Sequence, residues 1–65
     1  MDVFVNNTRI AIFDGANVKD ALEQYSVLAK FQFDIEKIKV YDEQNHLISL
    51  KGELSPGNKL TVFSS

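Results

Sequence analysis

The reactive side chains of this 65-residue chain are few. Its single histidine, His46, lies in the run DEQNHL, close to Asp42 and Glu43. An imidazole beside carboxylates can exchange a proton or supply one ligand to a metal, so this run is where acid–base or metal chemistry would begin. Its neighbours are turn formers, and the environment they predict is that of a solvated turn histidine. The chain has no cysteine, which excludes disulfides, thiolate zinc sites, iron–sulfur ligation and thiol nucleophiles. Aspartates and glutamates are plentiful, but catalysis needs at least two groups converging in a concave site. A sheet covered by a single helix leaves little room for one. No catalytic residue, cofactor-binding residue or metal ligand is therefore assigned, no cofactor is expected, and the chain is read as a non-enzyme.

Binding chemistry has more to work with. The basic residues Arg9, Lys19, Lys30, Lys37, Lys39, Lys51 and Lys59 are scattered, and the net charge is −2. No run is dense enough to follow a phosphate backbone, so nucleic acid is not an expected partner. No apolar stretch approaches the roughly 20 residues of a membrane span, and Met1 is followed by Asp2 and a strand-like VFV rather than a basic leader. A membrane is not expected either, and a cytoplasmic location is. The candidate binding residues are aromatic: Phe4 and Phe63, whose rings parallel neighbouring strands at the sheet centre are expected to bring onto one patch, extended by Phe13 and Tyr41.

The elements that would position them follow from periodicity. With 45% hydrophobic and 25% charged residues, the composition is that of a folded domain. A chain this short buries only about 60% of the surface it exposes when unfolded, so the core must be efficient. In DVFVNNTRIAIF two β-rich runs flank Asn6-Asn7, and asparagine tolerates the positive φ of a tight hairpin. Alternation turns Val3, Val5, Ile10 and Ile12 inward, and Phe4, Arg9, Ala11 and Phe13 outward. The period then changes: Val18, Ala21, Leu22 and Tyr25 form one helical stripe. Asn17 is the N-cap and Asp20 complements the first turn, predicting a helix over about Val18 to Ala29.

Alternation resumes in FQFDIEKIKVYD, where Phe31, Phe33 and Ile35 lead toward Ile38 and Val40 while Glu36, Lys37 and Lys39 mark exposed positions. A third strand is predicted over Ile38 to Tyr41. DEQN is a turn and HLISL a short fourth strand. Ser55-Pro56-Gly57-Asn58 has the residue order of a type II turn, Leu54 before it reads as a buried plug, and a last strand follows. That strand turns Leu60 and Val62 inward and Lys59, Thr61 and Phe63 outward. The expected core is Val3, Val5, Ile10, Ile12, Val18, Ala21, Leu22, Ile38, Val40, Leu54, Leu60 and Val62.

One amphipathic helix covers one face of one sheet, so the fold class is α+β in two layers. The most apolar strands, first and last, belong at the sheet centre and pair in parallel. The expectation is a mixed sheet of four to five strands forming a single domain over residues 1–65.

MDVFVNNTRIAIFDGANVKDALEQY resembles the opening of ubiquitin-like β-grasp proteins, above all the bacterial sulfur carriers of thiamine and molybdopterin biosynthesis. The segment GELSPGNKLTVF is similar to that family's leucine, Gly-polar turn and final apolar strand. The resemblance covers nearly the whole chain and implies the β-grasp fold. In the carriers, chemistry belongs to a C-terminal Gly-Gly, whose lack of Cβ atoms lets the tail thread an enzyme channel. Here Phe63 is followed by Ser64 and Ser65, and no Gly-Gly occurs anywhere. The reading that follows is a β-grasp interaction module. Its partner is another protein, or a following domain if the native chain continues past the linker-like Ser-Ser, bound through the uncovered sheet face. The alternatives are a degenerate sulfur-carrier-like protein and a regulatory domain appended to an enzyme.

Overall fold

A computed structural model of the chain describes residues 1–30, 32–34 and 36–64, the last of these by its backbone alone. Phe31 and Ile35, read above as part of the run into the third strand, lie outside the described residues. In chain order the elements are β1 (Asp2–Val5), β2 (Thr8–Ala11), α1 (Val18–Ala29), β3 (Ile38–Tyr41) and β4 (Lys59–Ser64). They form an α+β domain whose mixed sheet has the order β2-β1-β4-β3, with β1 parallel to β4 at its centre.

Local chemistry sets the hairpin and the helix. Asn6 and Asn7 have φ of 50° and 67°, the pair of positive angles that a two-residue hairpin needs to match strand twist. The pairing that results sets Val3 across from Ile10 and Phe4 across from Arg9. At the helix start the Asn17 Oδ1 accepts from the Asp20 N–H at 2.9 Å, and the Asp20 carboxylate accepts from the Asn17 N–H at 3.1 Å. This reciprocal capping satisfies donors that have no partner inside the helix. The helix ends at Lys30, which takes the left-handed conformation at φ 53°.

The inward positions meet as alternation requires. Val3, Val5, Ile10, Val18, Ala21, Leu22, Val40, Leu54, Leu60 and Val62 are buried, joined by Ala16 and Tyr25. Ile12 and Ile38 are only half-buried and pack against the margin of this core. Each sits at a strand boundary, Ile12 just past β2 and Ile38 at the start of the edge strand β3, where covering elements run out.

HLISL does not form a strand. Among the described residues it contributes a single bridge, Leu47 to Tyr41, with the Ile48 N–H donating to the Val40 carbonyl at 2.9 Å. The chain then leaves the sheet for the helix N-terminus. The Val18 N–H donates to the Gly52 carbonyl at 3.0 Å and the Lys19 N–H to the Leu50 carbonyl at 2.9 Å. Those are the first helical N–H groups, which no intrahelical acceptor can reach. The demand of the helix end for acceptors outweighs further pairing along β3. Gly52 fits this approach because a Cβ there would stand 3.2 Å from the Ser49 carbonyl.

The turn before β4 is closed by the Asn58 N–H donating to the Ser55 carbonyl at 3.1 Å, with Gly57 at φ 84°. Leu54 is buried just ahead of it.

Candidate functional site

The helix covers one face of the sheet and leaves the other open. Reading outward positions across the four strands, the open face carries Arg9 and Ala11 on β2, Asp2 and Phe4 on β1, Lys59, Thr61 and Phe63 on β4, and Lys39 and Tyr41 on β3. All are exposed or half-buried.

Two of the predicted aromatics come together. Tyr41 lies diagonally across the β3–β4 ladder from Phe63, and their rings meet edge to face with centroids 5.5 Å apart and planes at 78°. Such a pair is worth about 0.5–1.5 kcal/mol beyond area burial. It nevertheless leaves Phe63 57% exposed. Asn45 lies beside both rings in a shallow depression.

Phe4 and Phe13 are placed apart from this pair. The β1–β4 register sets Phe4 beside Lys59, four residues ahead of Phe63, or about 13 Å along the strand. Phe4 and Phe63 thus share a face without adjoining. Phe13 is 62% exposed just beyond β2, bordering a depression with Ala11, Asp20, Glu23 and Gln24 at the flank of the helix. In the sheet order this is the far side from Tyr41 and Phe63.

Leu47 belongs with the aromatic pair although sequence reasoning did not single it out. Its bridge to Tyr41 sets the two side chains on one face, and it is 64% exposed. The signal was present in the sequence, since a leucine beside a turn is apolar in a wet place, but only the bridge tells which face it joins.

Asn6 was also missed in its full role. Beyond turning the hairpin, its Oδ1 accepts from the Val62 N–H at 2.9 Å, and its Nδ2 reaches the Tyr25 hydroxyl at 3.5 Å. The Phe4 and Asn6 N–H groups donate to the Asn58 and Leu60 carbonyls at 2.8 and 2.9 Å. The Asn6 side chain extends this parallel ladder by one step after β1 has turned away.

His46 stands in the turn after β3. The Asp42 carboxylate accepts from the His46 and Gln44 N–H groups at 2.9 and 2.8 Å, and the His46 ring is 3.6 Å away. The His46 backbone hydrogen bond is the main reason that the Asp42 carboxyl titrates below its ordinary value. Asp42 is thus engaged in holding the turn. Among the described residues no group of three or more His, Cys, Asp or Glu is arranged to hold a metal ion, and no helix is long and apolar enough to cross a membrane.

The chain matches no family model, and no curated protein matches its sequence.

Proposed function

We propose that this chain is a non-catalytic β-grasp interaction module that binds another protein, or a following domain, through the open face of its sheet. The observation that carries the reading is the cluster of Phe63, Tyr41 and Leu47, in which Phe63 and Leu47 are 57% and 64% exposed on the face opposite the helix. Large apolar side chains grouped on a wet face are what protein interfaces enrich. The element order supports the β-grasp part of the reading: a hairpin, a helix laid across the sheet, and first and last strands as parallel neighbours. The helix back offers a rival apolar pair, Val27 and Leu28, with Val27 bordering a shallow depression that also includes Phe33.

A photo-reactive phenylalanine analogue at position 63 or 47, compared with position 27, tests the choice of face in cells that express the protein. Adducts from 63 and 47, lost on introducing Leu47→Ser with Phe63→Ser, support the reading, provided the amide spectrum shows the double variant folded. Adducts from position 27 alone overturn it.

A further inference from the structure

We infer that the segment seated on the open face is acidic, setting carboxylates beside apolar side chains; this rests on the interaction reading above and narrows it. The strand registers alternate cations with rings. Phe4 has Arg9 as its partner on β2 and Lys59 on β4, so a half-buried ring is flanked on both sides at one strand spacing, about 4.8 Å. Across the sheet, Lys39 is the ladder partner of Phe63. Each of these rings therefore has a cation directly opposite. Asp2 is the one carboxylate among the strand positions of this face.

This charge is local. The chain as a whole carries −2, and Asp42, Glu43 and Glu53 gather at one end of the sheet, around a groove that also includes Val18, Ile48 and Leu54. Lys59 borders that groove, yet among the described residues none of Arg9, Lys39 and Lys59 is held in an ion pair. Their charges are free to select a partner by complementary potential, which sets specificity and encounter rate more than raw affinity.

Spacing points to an extended occupant. Lys59, Thr61 and Phe63 succeed one another on the face at about 6.8 Å, the repeat of alternate side chains in a β-strand. An extended segment laid along β4 would bring a carboxylate to Lys59 and Arg9 and an apolar side chain to Phe63, Tyr41 and Leu47. Nucleic acid fits less well. The Tyr41 and Phe63 rings are engaged edge to face rather than set as parallel platforms, and base stacking wants such platforms.

The test titrates the labelled full chain with the acetylated, amidated heptapeptide Glu-Ser-Glu-Ser-Phe-Ser-Leu, whose alternate positions set carboxylates and apolar side chains on one face of an extended strand, with counterparts carrying Gln or Lys for Glu, and with a short oligouridine. The expected result is amide shifts at Phe4, Arg9, Lys39, Lys59 and Phe63 with the glutamate peptide. These should weaken at least about tenfold for the glutamine peptide, a difference of about 1.4 kcal/mol. They should also fade between about 50 and about 300 mM salt, as screening demands of exposed charges. Arg9→Gln with Lys59→Gln, on exposed positions, should abolish them with the rest of the spectrum unchanged. Equal binding of the glutamine or lysine peptide on this face overturns the inference and leaves the interaction reading intact, as does absence of any shift while photo-adducts still form from position 63. Oligouridine outcompeting the glutamate peptide on these residues overturns it in favour of nucleic acid. Shifts confined to the helix, with adducts from position 27 alone, overturn both.

Discussion

The two faces of the sheet are made by alternate residues of the same four strands, yet they behave as different materials. Toward the helix, Val3, Val5, Ile10, Val40, Leu60 and Val62 are all buried, none more than 8% exposed. Away from it, Phe4, Arg9, Lys39, Tyr41, Lys59 and Phe63 stay exposed or half-buried. Backbone and strand pairing are common to both, so the difference lies in the single covering layer. One helix removes one face from water, and the apolar side chains left on the other are available to a partner.

The widest separation between the faces should come from Leu22→Ala. Leu22 is fully buried between helix and sheet, and its truncation should cost about 2–5 kcal/mol in denaturant unfolding. A loss below about 0.5 kcal/mol would mean the covered face is not a packed core.

Asn6→Ala comes next and probes the seam where the hairpin meets β4. It leaves the Val62 N–H without its side-chain acceptor and puts alanine at φ 50°. The expected loss is about 1–3 kcal/mol, the cost of an unsatisfied partly buried donor. Asn6→Gly relieves the backbone angle alone, so a variant as stable as the native chain would show that the hydrogen bond contributes nothing.

On the open face, Phe63→Ser should cost about 1–2.5 kcal/mol, its edge-to-face contact together with the smaller share of its area that is buried. Partner binding should fall far more than stability does. If unfolding free energy drops as much as for Leu22→Ala, the two faces are energetically alike and the cluster is structural.

The smallest effect concerns the turn after β3. The folded-state pKa of Asp42 is lowered by the His46 backbone hydrogen bond, so ionised Asp42 favours the folded turn. That contribution is complete above the ordinary value of 3.8 and is lost as the pH falls through the lower folded value. Acid titration followed by NMR should shift the His46 and Gln44 amides together below that pH, and Asp42→Asn should remove the coupled transition. Amides that move independently would break the assignment.

Much of this architecture was legible in the residues because the signals are local. Asn6-Asn7 marks a turn through its tolerance of positive φ, Asn17 and Asp20 cap the helix through contacts three residues apart, and Val18, Ala21, Leu22 and Tyr25 declare their face by spacing alone. Even the central place of β1 and β4 followed from their apolar content, since such strands avoid water at the sheet centre, although that content does not set their parallel direction. The open-face aromatics were legible only as a set. Alternation assigns Phe4, Tyr41 and Phe63 to a face but carries no information about which of them adjoin.

The sequence by itself determined an α+β element order, the helix limits, the hairpin, the turn before β4 and which residues of each strand point inward, because each depends on neighbours within a turn or on a period of 2 or 3.6 residues. Tertiary structure alone decided that Phe4 stands beside Lys59 rather than Phe63, that Leu47 joins Tyr41, and that the Asn6 side chain completes the ladder to Val62. It also turned HLISL from a strand into a support for the helix N-terminus, through the bonds from Val18 and Lys19 to Gly52 and Leu50. Register and the sharing of backbone acceptors are settled by competition between segments distant in the chain, and that competition exists only once the helix and sheet have met.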